Sequence, residues 1–145
     1  MPRFHHIVVG QNLIRGYDLQ GEGTFNKPRT HGKHHGLDIV SKPGHHVLAP
    51  ITGTLDRNAI AHDNPIDRTL GGLHILGVGE WAGYVVWMFY VHPMVHGRIE
   101  AGQPIGIAQN LAAYSKYRGI INHVHIQVKK GGQYVDPMSL FGWFQ

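Results

Sequence analysis

With 145 residues, 42% of them apolar and only 15% charged, the chain is long enough to bury most of the surface it would expose unfolded, and it reads as one globular domain over residues 1–145. The absence of cysteine excludes disulfides and thiolate sites, so a metal would have to rest on nitrogen and oxygen donors, a set that favours zinc over iron–sulfur clusters or copper(I). A net charge of +4, with Lys and Arg scattered apart from Lys129-Lys130, gives no basic stripe that would follow a phosphate backbone, and no nucleic-acid partner is expected.

Taken in chain order, Met1 to Gly10 lacks the continuous apolar core of a secretory signal. Nowhere do about 18 apolar residues follow one another, so membrane insertion is not expected and a soluble protein is. The 20 glycines and 8 prolines punctuate short runs of strand formers, which predicts a mainly β fold with many tight turns. Ile39 to Val40 and Val47 to Leu55 are such runs, broken by Lys42-Pro43-Gly44, Ala49-Pro50 and Gly53. Asp56 to Thr69 is polar, holds Pro65, and predicts a long exposed connection bordering a cleft.

Leu73 to Val78 and Tyr84 to Val91 are apolar or aromatic and predict two strands at the sheet centre, joined through Glu80-Trp81-Ala82-Gly83. Ile99 to Ala108 predicts a turn at Gly102-Gln103-Pro104 and then a short strand, and Leu111 to Arg118 has the composition of a brief helix ended by Gly119. His123 to Lys129 alternates as a strand, Gly131-Gly132 turns the chain, and Asp136 is placed to cap a last helical turn that starts at Pro137.

The 13 histidines are the anomaly of the composition, and spacing separates them. In His34-His35-Gly36-Leu37-Asp38 a histidine and a carboxylate stand four apart, roughly 13 Å along a straight strand, so the backbone must bend at Gly36 if both reach one metal. A solvated loop fits the same spacing. In His123-Val124-His125 the imidazoles share one face of a strand roughly 7 Å apart, near enough for either or both to meet a metal, or to be an ordinary surface pair on an edge strand. Tyr90-Val91-His92 predicts a strand end, with Tyr90 and His92 on one face before Pro93 turns the chain away. His5, His6, His45, His46, His62, His74 and His96 have no partner at ligand spacing and read as ordinary histidines. His31 and His35 are neighbours that could line a cleft.

Together these pieces resemble the lysostaphin and LytM type of zinc metallopeptidase, a family of peptidoglycan endopeptidases with His-x-x-x-Asp early and His-x-His late. The likeness runs over about residues 21–140, through Gly21 to Phe25, His34 to Val40, Val47 to Pro50, Tyr90 to His92, Gly102 to Gly106, Asn122 to Ile126 and Asp136-Pro137. It implies a central antiparallel sheet with short helices, of the duplicated hybrid motif type, and one zinc per chain held by His34, Asp38 and His125. His92 and His123 become catalytic without being ligands, His123 as general base and His92 as donor to the oxyanion. Three protein ligands leave a catalytic zinc its open position, and water attacks a cross-link in the stem or bridge peptides of peptidoglycan. The groove walls would be Asp56 to Thr69 and Leu111 to Ile121. Without a signal or wall-binding repeat, the expected enzyme reaches the wall by lysis or as a phage virion component.

Met88-Phe89-Tyr90, Gly119 to His125 and Asp136-Pro137 also resemble leukocyte cell-derived chemotaxin, a disulfide-bonded, zinc-binding signalling protein not regarded as a peptidase. That likeness implies the alternative, a catalytically inactive zinc-binding interaction or signalling module. The lack of cysteine, and a histidine at position 92 that the chemotaxin sequence is not expected to keep, favour the enzyme.

Overall fold

Short runs of β-branched and aromatic residues, cut by glycine and proline, fold here into antiparallel strands and a few 3-10 turns. The computed structural model describes residues 3–10, 12–15, 28–29, 32–33, 36–60, 70–114, 117 and 119–141. The strands are β1 (Pro28–Arg29), β2 (Gly32–Lys33), β3 (Leu37–Val40), β4 (His46–Leu48), β5 (Gly53–Ile60) and β6 (Gly71–Gly77), followed by β7 (Tyr84–Phe89), β8 (Val91–Pro93), β9 (Gly97–Ile99), β10 (Pro104–Ala108), β11 (His123–Lys130) and β12 (Gln133–Val135). The large sheet runs β12-β11-β7-β6-β5-β9, a small one runs β4-β10-β8, and β1 pairs with β2.

The expected central strands are central. β6 and β7 pair over Gly72↔Phe89 to Leu76↔Val85, joined by a 3-10 turn at Gly79–Trp81, and β11 lies on the far side of β7. One edge of β11 is shared end to end: β3 takes His123 to Ile126, and β12 takes Val128 to Lys130 after the Gly131-Gly132 turn, where both glycines have positive φ. Asp136 accepts a hydrogen bond from Met138 N at 3.0 Å and caps the 3-10 turn Pro137–Leu140, as its sequence position predicts.

Period-two alternation sorts the faces of the large sheet. Val124, Ile126 and Val128 of β11, Val86 and Met88 of β7, Leu73 and Ile75 of β6, and Leu37 and Ile39 of β3 are buried in one core. Across that core lie Val47, Val91, Ile105 and Ala108 of the small sheet. The open face of the large sheet therefore carries His123, His125, Gln127 and Lys129 from β11, Asp38 from β3, and Trp87 and Phe89 from β7.

Three expectations change. Tyr84 to Val91 is not one strand: Tyr90 has φ of 68°, and there the chain leaves the large sheet and re-enters as β8 in the small one. The polar connection expected from Asp56 begins later, because β5 continues past a register shift between Leu55 and Arg57 and pairs with β6 to Ile60; residues 61–69 lie outside the described residues. The helix expected over Leu111 to Arg118 is a 3-10 turn at Leu111–Ala113, with 115, 116 and 118 outside the described residues.

The N-terminal residues, which precede the region of family likeness, belong to the core. Phe4, Ile7 and Val8 are buried, Phe4 against Trp81 and Phe141, and Val8 bridges Val47. Burying three such side chains is worth roughly 1.5–3 kcal/mol each, comparable in sum with the whole stability of a typical domain. Among the described residues no helix is long and apolar enough to cross a membrane.

Candidate metal centre

The β3–β11 register places Asp38 directly opposite His125, and Val40 opposite His123. Side chains on this side of both strands point to the open face, so the carboxylate and both imidazoles converge there. Asp38 Oδ1 lies 2.8 Å from His125 Nδ1, and Asp38 Oδ2 lies 3.4 Å from His123 Nε2. His34, the remaining expected ligand, and its neighbours His31 and His35 lie outside the described residues, as do His62 and the Gly21 to Phe25 stretch. Among the described residues no group of three or more His, Asp or Glu side chains is arranged to hold a metal.

Hydrogen bonding sets the His123 tautomer. His123 Nδ1 faces the carbonyl of Ile121 at 2.8 Å; a carbonyl only accepts, so Nδ1 carries the proton and the lone pair of the neutral ring is on Nε2. His125 Nε2 faces the side-chain amide of Gln127 at 2.9 Å, a group that can present either its oxygen or its NH2 to the ring. On its other side His125 Nδ1 lies 2.8 Å from Asp38 Oδ1, a contact that a proton on Nδ1 bridges and that a metal would bridge in the proton's place. Donors of a tetrahedral zinc site lie about 3.3 Å apart, given bonds of about 2 Å, so the pair would need only a small opening to match that spacing. The donor set, imidazole nitrogen and carboxylate oxygen, also fits zinc.

Gly36 makes room for His125. A Cβ on Gly36 would meet the Ile126 carbonyl oxygen and stand 2.7 Å from His125 Cε1. The glycine is needed here for close approach of the imidazole, a stricter demand than the backbone bend expected of it.

Asp38 is anchored from its other side. Residues 13–15 run along the free edge of β3, with Val40 N donating to Leu13 O, Arg15 N donating to Asp38 O, and Ile14 bridging Ile39. Arg15 Nη1 reaches Asp38 Oδ2 at 2.5 Å, and both side chains are almost fully buried, at 4% and 1% exposure. Arg15 carried no sequence signal of this role, whereas Gln127 could be found by extending the His123, His125 alternation one step.

His123 is buried, at 2% exposure. Tyr90 packs edge-on against it with centroids 5.2 Å apart, and Tyr90 also packs on a small cluster of Leu70, Leu111 and Tyr117. The turn at Leu111–Ala113 is tied down by Asn122, whose Oδ1 accepts from Leu111 N at 2.7 Å and Ala112 N at 3.2 Å. Burial holds the His123 imidazole below its ordinary pKa of 6.5; Asp38 and the Ile121 carbonyl push the other way and do not prevail. His92 is exposed on β8, two residues past Tyr90, and stands outside this hydrogen-bonded cluster. His74, read from sequence as an ordinary histidine, donates from Nδ1 to Asp56 at 2.5 Å and packs edge-on against Trp87.

No family model matches the chain. Among characterised proteins it is similar to myeloid protein 1 of Gallus gallus, 35% identical over 122 residues that make up 80% of this chain and 35% of that protein. It is also similar to leukocyte cell-derived chemotaxin-2 of Bos taurus, 31% identical over 119 residues covering 80% of this chain and 73% of that protein. The chain thus spans about a third of the first of these and most of the second. Among solved structures, lysostaphin superposes with a TM-score of 0.65 at 19% identity, over 92% of this chain and 52% of that one. A zinc containing peptidase from Vibrio cholerae gives 0.64 at 17% identity, over 94% and 39%. At these identities the likeness establishes the fold, which is that of the lysostaphin-type peptidase domains.

Proposed function

The chain belongs to the leukocyte cell-derived chemotaxin-2 family and has the lysostaphin-type fold, and we propose that it is a zinc-dependent endopeptidase acting on the peptide cross-links of bacterial peptidoglycan. The observation that carries this reading is the facing pair of His125 Nδ1 and Asp38 Oδ1, beside a buried His123 whose proton is committed to Ile121. His34, Asp38 and His125 would hold the zinc. When bound, the ion would supply Lewis-acid polarisation of an amide carbonyl and lower the pKa of water.

The chain's own residues supply the rest. His123 has its lone pair on Nε2, so that atom takes a proton from the attacking water and later delivers it to the leaving amine. Its depressed pKa keeps it in the base form at neutral pH. His92, exposed on β8, is assigned as donor to the developing oxyanion. A stem or bridge peptide would lie across the face of the large sheet that carries His123 and His125, beside the Leu111–Ala113 turn that Asn122 ties down.

The identity with chemotaxin-2 favours a second reading, a zinc-binding interaction module without turnover. One experiment separates them. The zinc-loaded protein is incubated with peptidoglycan from several bacteria, and new amino and carboxyl termini are sought by mass spectrometry. New termini that a chelator abolishes are the expected result. Intact cross-links in every preparation, with zinc bound, would leave the interaction module.

A further inference from the structure

The buried ion pair between Arg15 and Asp38 does something the zinc reading alone does not require. A carboxylate that is 1% exposed is costly to ionise unless a cation or several donors face it. Arg15 meets this need on Oδ2 at 2.5 Å, and the Arg15 N–H to Asp38 O bond fixes the two residues side by side. Oδ1 is thereby left turned toward His125 Nδ1. We infer that Arg15 is the internal counter-cation of Asp38, a positioning residue that holds the buried carboxylate with Oδ1 aimed toward His125 Nδ1, the side on which the proposed metal would sit, whether or not zinc is bound.

The inference concerns this chain's own ion pair and leans on the metal reading only for the role of Oδ1. It implies that the fold does not depend on zinc, in contrast to small domains whose metal ligands have no built-in partner. It also divides the carboxylate between two cations, Oδ2 for the guanidinium and Oδ1 for the metal.

The test is thermal unfolding of wild type, Arg15→Met, Arg15→Lys and the double variant Arg15→Met/Asp38→Asn, each with chelator and with zinc. In chelator, Arg15→Met should lower the melting temperature on the order of 10 °C, because it takes the guanidinium from a buried carboxylate while keeping most of the side-chain volume. The double variant should regain most of that loss, since its carboxylate is gone, and Arg15→Lys should fall between, having the charge without the fork. Zinc should raise the melting temperature of Arg15→Met more than that of wild type, by supplying the missing cation. A double variant no more stable than Arg15→Met would overturn the inference, because Arg15 would then act by packing alone. Should Arg15→Met fail to fold, folding of the double variant upholds the inference and its failure overturns it. Zinc that stabilises none of these proteins would instead sink the metal reading, which the chelator series does not use.

Discussion

His125 packs where the side chain of residue 36 would be: a Cβ on Gly36 would stand 2.7 Å from His125 Cε1 and 2.8 Å from Nε2. The early motif thus contributes a missing side chain to the late one, across the β3–β11 pair, and the two motifs fit together by excluding each other's atoms.

Gly36→Ala should therefore act on the metal centre directly. The added methyl meets the Ile126 carbonyl oxygen, which is backbone and cannot rotate away, so the strand or the imidazole has to shift. Overpacking of this kind costs about 1–3 kcal/mol. The expected outcome is a lower melting temperature together with weakened zinc binding, read by chelator competition. Full zinc affinity in a destabilised Gly36→Ala protein would show that His125 does not need its present position.

Gln127 makes a different prediction. Its side-chain amide lies 2.9 Å from His125 Nε2 and fixes the ring orientation that turns Nδ1 toward Asp38. Gln127→Leu should leave the fold intact, since this side chain lies on the open face and not in the core, while zinc affinity falls about 10–100-fold, the usual scale for an outer partner of a ligating histidine. Titration with a competing chelator measures it. An unchanged affinity would mean that another group fixes the ring.

How far these relationships are visible in the sequence depends on their range. β6, β7 and β11 are legible because period-two alternation and a nearby turn define them locally, and the Asp136 cap is legible for the same reason. The break at Tyr90 is not, because Tyr84 to Val91 is an uninterrupted run of strand formers and a positive φ on tyrosine leaves no mark in composition. Asp38 and His125 are 87 residues apart, so their pairing depends on sheet register, and only the family resemblance joined them beforehand. Arg15 sits beside Leu13 and Ile14 as any cation might on an amphipathic edge. Its burial against Asp38 exists only once residues 13–15 lie along β3.

The pH dependence follows from His123. Burial lowers its pKa in the folded protein below 6.5, so between that lower value and 6.5 the unfolded chain binds a proton that the folded one does not. The contribution to stability is fully present above 6.5 and is lost as pH falls through the folded value. Chelator-treated wild type should lose melting temperature on acidification below 6.5 more steeply than His123→Gln, and parallel curves would contradict this. Hydrolysis should follow the same group, with its acid limb below the ordinary imidazole value.

The last prediction separates the three histidines of the proposed reaction by two readouts measured in one buffer, zinc per chain and hydrolysis rate. His125→Ala removes a ligand and the partner of Asp38 Oδ1, so metal and activity should be lost together. His123→Ala removes a proton acceptor but, on the proposed assignment, no ligand; it should retain zinc while hydrolysis nearly stops. His92→Ala changes an exposed side chain on β8, so folding and zinc should both survive and turnover should fall by about two orders of magnitude or more, the scale for loss of one oxyanion donor. The informative comparison is between His123 and His125, whose rings both approach Asp38, Nδ1 of His125 at 2.8 Å and Nε2 of His123 at 3.4 Å. If both variants lose zinc equally, His123 is a ligand too. With His34, Asp38 and His125 it would then close the tetrahedron, leaving no position for a substrate, and the zinc would be structural.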